Sequence, residues 1–504
     1  MEEQASGTAE RMRREKEEKL VRLRELGREP YPHGFARSAS AADCIANAEA
    51  WVAAETELAL AGRLMSQRVM GKTSFGHLED RSGSLQLFLR QDELGESYQH
   101  FVKLIEPGDH LGARGKLFVT RTGELSLRVS EWTLLAKAML PLPEKYHGLT
   151  DPELRARQRY LDLAANTQVR RHFEKRSRIL SLIRRFFEAR GFLEVETPVL
   201  QPLYGGATAR PFTTLHNALD TQLYLRIADE LYLKRLIVGG MERVFEIGKI
   251  FRNEGMDRTH NPEFTMLEAY AAYWDYRDLL PLVETLYHEL ALAVGGGPLI
   301  RYGEHAIDLT PPWPRLDYYA ALADAAGRDL RELPAAELAA LAEAKGAAVD
   351  PRWSRGKLLD AIAARLVEPA LIQPTFLVDH PQEISPLAKA HREKPGQVER
   401  FEPFIAGFEV GNAFSELNDP AEQRRRFEAQ MGLRAKGDEE AQVLDEDFLR
   451  ALAVGMPPTA GLGIGIDRLV MLLTDAHHIR EVLLFPMMRP EARAEAPAEA
   501  RDGD

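Results

Sequence analysis

The chain has 504 residues, 45% of them hydrophobic and 28% charged, which is ordinary soluble globular composition and a prior of about three domains. Its one cysteine, Cys44, excludes an intrachain disulfide framework, a CxxC pair and an all-cysteine zinc site, so a metal must rest mainly on oxygen or histidine ligands and a cytoplasmic location is expected. The formal net charge of −12, from 65 basic and 77 acidic residues, excludes nucleic-acid binding through bulk positive charge but leaves room for a local surface.

The first twenty residues lack the apolar core of a signal peptide, and no run approaches the roughly 18 apolar residues of a membrane span. Neither secretion nor membrane insertion is expected. Residues 9–28 are dense in Arg, Lys and Glu, with Met12, Leu20, Val21, Leu23 and Leu26 the only apolar side chains. They predict a thinly amphipathic helix, solvated or touching RNA, within an N-terminal helical extension over 1–57. From Leu58 the pattern becomes short alternating strands. Leu85, Leu87 and Leu89 face one way and Gln86, Phe88 and Arg90 the other, and Leu125, Leu127 and Val129 repeat the period. Turn chemistry at 80–83 and 120–123, with a helical stretch near 92–106, predicts a five-stranded closed barrel of the OB type over 58–140, a common platform for single-stranded nucleic acid. This segment holds 11 Lys or Arg against 9 Asp or Glu, slightly positive in a negative protein.

Prolines 141, 143 and 152 mark a linker over 141–165. An α+β region follows over 166–488. A helical pattern over 171–190 stops at Gly191, a second helix over 229–238 ends at Gly239 and Gly240, and Ala/Leu-rich sequence at 316–368 reads as a helical insertion. The tail, 489–504, has no large apolar residue and is expected to be disordered.

Three segments concentrate polar residues in apolar strands. In 243–270, two strands joined by a polar loop display Phe264, Met266, Glu268 and Tyr270 on one face of the second and Arg252, Ile250 and Gly248 on one face of the first. A planar base can stack on Phe264, a phosphate can take the Arg252 fork, and an ammonium can pair with Glu268. Read alone, the segment also suits an ordinary core hairpin. In 400–419, Glu402 and Glu409 are costly in half-buried strands unless they meet a cation, so they are candidate Mg²⁺ ligands alongside phosphate oxygens. Asn412, Phe414 and Glu416 share a parity that can line a pocket, and a solvated edge strand is the alternative. In 461–473, GLGIGIDRLVMLL lacks the third glycine of a dinucleotide fingerprint. Its alternating glycines leave one strand face bare, so that a flat ligand can lie on the backbone, with Arg468 in the first helical turn pointing back at it. Tight packing of helix on sheet explains the same glycines.

Together these segments resemble the conserved motifs of class II aminoacyl-tRNA synthetases, with GFLEVETP (191–198) as the first motif. The match is most specific to the bacterial-type lysyl-tRNA synthetases: RIADELYLKRL (226–236), FRNEG (251–255), HNPEFT (260–265), FSELND (414–419), GLGIGIDR (461–468) and the barrel segment MGKTSF (70–75). The resemblance runs from about Leu58 to Pro486. It implies an OB-type barrel followed by a catalytic domain with a mostly antiparallel sheet flanked by helices, a cytoplasmic homodimer, and L-lysine, ATP, Mg²⁺ and tRNA(Lys) as substrates and partners.

Residue by residue, the resemblance implies that Arg252 binds the α-phosphate and the substrate carboxylate, with Arg252 and Arg468 as the catalytic pair. Glu254 would contact the adenine amino group and Phe264 stack the base. His260, Asn261, Glu409 and Arg468 would complete the ATP site, with Glu402 and Glu409 on magnesium. Glu230, Glu268 and Glu416 would surround the lysine side chain, with Tyr270, Asn412 and Phe414 completing the pocket and Gly206 near the amino-acid backbone. In the barrel, Phe75 would stack an anticodon base while Arg68 and Gln86 bond base edges. Thr259 stands where many relatives have Arg, with Arg258 one place earlier, and Ala413 stands where some have Gly. An aspartyl- or asparaginyl-type enzyme, a lysyl-transferring paralogue acting on protein and a non-catalytic RNA binder are the other readings.

Overall fold

A computed structural model describes residues 2–142, 149–434 and 443–490. Most of the expected tail, residues 491–504, lies outside the described residues. The chain divides into two compact units, 1–150 and 151–504.

In the first unit, strands β1 (Glu57–Met70), β2 (Thr73–Glu79), β3 (Ser84–Arg90), β4 (His110–Val119) and β5 (Leu125–Ala136) close a barrel in the order β1-β2-β3-β5-β4. Period-two alternation builds its core: Leu85, Leu87, Leu89, Leu127 and Val129 all turn inward. Helix α1 (Glu2–Glu25) is docked rather than solvated. Its Leu23 is buried in the barrel core, Lys16 donates to the Ala138 carbonyl at 2.7 Å, and Lys19 reaches Glu106 at 2.5 Å. One buried leucine, worth about 1.5–3 kcal/mol, with two lysine anchors outweighs the tendency of so charged a helix to leave the surface. Two short helices, Ala41–Ala46 and Ala48–Ala53, occupy the Ala-rich stretch before β1.

The second unit opens with helices Pro152–Arg157 and Arg159–Ala165, so the later part of the stretch read as a linker is helical. Helix α2 (Thr167–Glu188) buries Phe173, Ile179, Ile183 and Phe187 along one stripe, and the chain then reverses at Gly191, whose φ of +77° favours glycine. The central sheet comprises β6 (Leu193–Glu194), β7 (Arg243–Phe251), β8 (Glu263–Ala272), β9 (Arg315–Asp317), β10 (Thr375–Val378), β11 (Arg400–Ile405), β12 (Phe408–Glu409), β13 (Asn412–Ser415) and β14 (Thr459–Gly465). Their order is β9-β10-β11-β13-β14-β8-β7-β6, with β12 paired to β11. Only the β6·β7 and β9·β10 pairs are parallel. Helices Tyr318–Ala326, Ala335–Ala344 and Arg355–Leu366 lie between β9 and β10 around a hydrophobic cluster of their own.

Strand parity positions the site. Phe245, Leu267, Ala269, Ala413, Leu462 and Ile464 enter the main core with α2 and with α3 (Tyr276–Gly295), a helix started by an Asp275/Asp278 capping box and ended at Gly296. Their neighbours point to the opposite face, which is polar. Ala413 therefore turns its methyl into the core, where an extra carbon over Gly is accommodated.

Candidate functional site

On that polar face lies a cavity of about 410 Å³. It brings together fourteen of the residues singled out from the sequence: Gly206, Glu230, Arg252, Glu254, His260, Asn261, Phe264, Glu268, Tyr270, Glu402, Glu409, Asn412, Phe414 and Arg468. Glu416 is fully buried behind the wall instead of lining it.

The register explains how the glycines serve. Gly461 lies between Tyr270 and Phe414, and Gly463 between Glu268 and Asn412. A Cβ on Gly461 would meet Glu416 Oε1 at 2.1 Å and Tyr270 Cε1 at 2.5 Å, and one on Gly463 would meet Met266 Cε at 2.6 Å. The expected bare floor is thus corrected: flanking side chains fold over the first two glycines because they leave room, and only Gly465 is open.

One end of the cavity is acidic. Helix α4 (Glu230–Val238) presents Glu230 from its first turn, and β8 presents Glu268, which accepts from the Tyr270 hydroxyl at 2.9 Å. Burial pushes Glu268 well above the usual carboxylate range, and the neighbouring Asp229 adds to it. Asp229 is itself pushed up to about 6 by burial, with Glu246 adding to the rise and Glu268 and Arg226 opposing it. Lys234, which the sequence reading overlooked, is fully buried behind this end and ion-paired to both Glu230 and Glu416. Its spacing of four from Glu230 was the available signal. Deeper still, Arg226 Nη1 donates to Glu246 at 2.5 Å and its Nε to the Lys249 carbonyl at 2.9 Å, tying the loop before α4 to β7.

The other end is basic. The Arg252 guanidinium sits 5.2 Å from the Phe264 ring centroid, and its Nε donates to the Ile227 carbonyl at 3.3 Å. Glu254 lines the cavity from an exposed position, and Asn261, buried, donates to the Glu263 carbonyl at 2.6 Å. Arg468, near the start of helix α5 (Ile466–Thr474), donates to the Glu409 backbone carbonyl at 3.0 Å and to His260 Nε2 at 2.8 Å. That bond makes Nε2 the acceptor and leaves the His260 proton on Nδ1, 2.8 Å from Asp257. Asp257, also missed from the sequence, takes backbone N–H bonds from Thr259 and His260 and shapes the loop. Arg258 faces away and donates to the His477 carbonyl, while Thr259 lines the cavity. The displaced arginine thus serves the loop and not the cavity.

Glu402 and Glu409 share this end. Against the penalty of burial, Arg400 and His380 hold Glu402 down at about 2, whereas burial and the Glu402 charge push Glu409 up. Arg400 also bonds Asn412 Oδ1 at 2.9 Å, linking the two ends. Among the described residues no group of three or more His, Cys, Asp or Glu could hold a metal. The two glutamates therefore fit a divalent cation only where a ligand supplies the remaining oxygens.

On the barrel, Arg68 is exposed and stands opposite Phe75 in the register, and Phe75 begins an aromatic row through Phe88 to Phe118 with ring centroids 5.2 and 5.1 Å apart. Gln86 is nearly buried, donating to Glu124 at 2.7 Å and accepting from Ser126 at 2.7 Å. Glu124 also faces His77 at 3.2 Å and is a further polar residue of this face that sequence reasoning missed. Stacking rings beside hydrogen-bonding edges suit unpaired bases.

Comparison with known proteins agrees with both units. The family described as tRNA synthetases class II (D, K and N) matches residues 151–489, and the OB-fold nucleic acid binding domain matches 58–135. The chain is 53% identical to the lysine–tRNA ligase of Moorella thermoacetica, over 94% of this chain and 97% of that protein. It is 54% identical to that of Aquifex aeolicus over 87% and 74%, and 52% identical to that of Chloroflexus aurantiacus over 94% and 96%. Barrel, catalytic sheet and these relatives agree: the chain belongs to the lysine–tRNA ligase family of class II tRNA synthetases.

Proposed function

We propose that this protein activates L-lysine with ATP, forming lysyl-adenylate and pyrophosphate, and then transfers lysine to the 3′ end of tRNA(Lys). The observation that carries the reading is the polarity of the cavity. One end offers Glu230, Glu268 and Tyr270 to a cationic side chain, and the other offers Arg252, His260 and Arg468 to phosphates. An aspartate or asparagine side chain would meet carboxylates where it needs cations or neutral donors.

Activation is attack of a lysine carboxylate oxygen on the α-phosphorus, with the bond to the bridging oxygen breaking as pyrophosphate leaves. Both partners are negative, so the work is alignment and charge neutralisation. No general base is needed, because the carboxylate is already ionised. Arg252 holds the carboxylate and α-phosphate together, Phe264 stacks the base, Glu254 and Asn261 fix the nucleotide, and Arg468 with His260 takes the terminal phosphates. Glu402 and Glu409 would hold Mg²⁺, which supplies further positive charge for the polyphosphate. In the second step the terminal ribose hydroxyl attacks the lysyl carbonyl and AMP leaves.

Specificity follows from buried carboxylates left unpaired by a neutral side chain, a mismatch that rejects analogues by roughly 10⁴–10⁵. Phe75, Arg68 and Gln86 read the anticodon on the barrel. The chain works as a homodimer through the first motif, 191–198, where Leu193 is exposed, and it works in the cytoplasm. No helix among the described residues is long and apolar enough to cross a membrane. Charging of a bacterial tRNA mixture with each amino acid in turn tests the reading: lysine alone becomes acid-precipitable, and aspartate or asparagine charging refutes it.

A further inference from the structure

The acidic end of the cavity contains a problem that the proposed chemistry does not solve. A cluster of buried carboxylates repels itself, and a buried carboxylate facing others takes up a proton instead of staying charged. A protonated pocket offers a lysine side chain no charge. Burial pushes Glu230 and Glu416 up, and Asp229 and Glu268 already lean on each other.

Lys234 opposes this at two of the four, against a burial that still leaves both raised. Its side chain is fully buried, and its ammonium is paired at once with Glu230 and Glu416. The aromatic rings of Phe414 and Phe448 lie 5.5 and 5.9 Å from the Nζ and complete its surroundings. Lys234 does not line the cavity, whereas Glu230 does. The cation is therefore behind the wall, where a ligand cannot displace it, and its two partners are drawn toward it from different elements, the first turn of α4 and the end of β13. The two carboxylates outweigh burial and keep the ammonium charged.

We infer that Lys234 is a positioning residue for the amino-acid pocket: a resident cation behind the wall that holds Glu230 and Glu416 together, opposes their protonation, and leaves Glu268 with Tyr270 to receive the substrate ammonium. The inference rests on the lysine-activating reading above. The other charged groups acting on this cluster are Asp229, Glu268, Glu246 and two cations, Arg226 and, on β11, Arg400. Arg226 is committed to Glu246 and the Arg400 guanidinium to Glu402 and Asn412.

The test is ATP–pyrophosphate exchange by wild type, Lys234→Met and Lys234→Arg from pH 6 to 9, with KM for lysine and for ATP measured separately. Without the cation, Glu230 and Glu416 move further up, because the Lys234 charge that lowers both is lost. Lys234→Met then has a lysine KM raised about tenfold or more at pH 7. The ratio of its lysine KM to that of wild type falls as pH rises and the carboxyls ionise, while KM for ATP stays within about twofold. Lys234→Arg keeps the charge and a pH-independent ratio. A Met/wild-type ratio that is flat with pH, or an equal rise in ATP KM, overturns the inference and makes Lys234 a packing residue. If Lys234→Met does not fold, Lys234→Met with Glu230→Gln is compared with Glu230→Gln alone, since Glu416 is still left without its cation and the same pH-dependent ratio is expected. Failure of wild type itself to exchange with lysine refutes the functional reading instead, so the two failures are distinguishable.

Discussion

Arg468 donates to His260 Nε2 at 2.8 Å across 208 residues of chain, and His260 in turn faces Asp257 at 2.8 Å. The pair joins the loop after β7 to the helix after β14. Arg468 is thereby held over the cavity with its second nitrogen on the Glu409 carbonyl. Arg468→Ala is expected to lower the rate of pyrophosphate exchange by about 10²–10³, the cost of losing one preorganised donor to developing charge. Adding His260→Ala to it should cost less than His260→Ala does in wild type, because the two act as one unit. Additive losses in the double-mutant cycle would separate them.

Gly461→Ala should damage lysine recognition and spare ATP. The new Cβ meets Glu416 Oε1 at 2.1 Å and Tyr270 Cε1 at 2.5 Å, so the acidic end must move while the Arg252 and Phe264 end is untouched. The expected result is a lysine KM raised about tenfold or more with an ATP KM near wild type, since a displacement of about 1 Å at a site can cost 10²-fold. Steady-state exchange at varied lysine and varied ATP reads the split.

Lysine binding should release protons and tighten as pH rises through about 6. Burial pushes Asp229 up to about 6, and burial together with Asp229 pushes Glu268 well above the usual carboxylate range. The neutral forms of these acids dominate below their raised values, and a bound ammonium favours the ionised forms. Affinity is therefore lost as pH falls through this range. Calorimetry of lysine binding at pH 6.5 in two buffers of different ionisation enthalpy reads the release directly, and proton uptake would contradict it.

The thiol of Cys44 should be inert in the folded chain. It is fully buried in the barrel core, and burial, with Asp43 and Asp80 nearby, pushes it up to about 11. A disulfide reagent at pH 8 should label it slowly in the native protein and completely in guanidinium.

Much of this site was legible because strand parity survives folding. The alternation in 264–270 that put Phe264, Met266, Glu268 and Tyr270 on one face holds in the sheet, as does the separation of Ala413 from Asn412 and Phe414. What parity along one strand does not contain is the neighbour. The glycines of 461–465 read as an empty floor, yet cross-strand register sets Tyr270 and Phe414 beside Gly461. Lys234 was missed for a similar reason. Within an amphipathic helix a lysine reads as solvent-facing, and its burial is sustained by Glu230 together with a carboxylate from the distant β13 end. Helix α1 looked solvated because the barrel surface that receives Leu23 and Lys16 lies about a hundred residues away in sequence. Asp257 looked like an ordinary loop residue until its side chain was seen gathering the N–H groups of Thr259 and His260.

The acidic end of the cavity is expected to select lysine for activation by ATP. Pyrophosphate exchange into ATP, with each of the twenty amino acids, with Mg²⁺ and without tRNA, tests it most directly. Exchange with lysine alone is expected. Exchange with aspartate or asparagine, or with none of the twenty in folded protein, would contradict it.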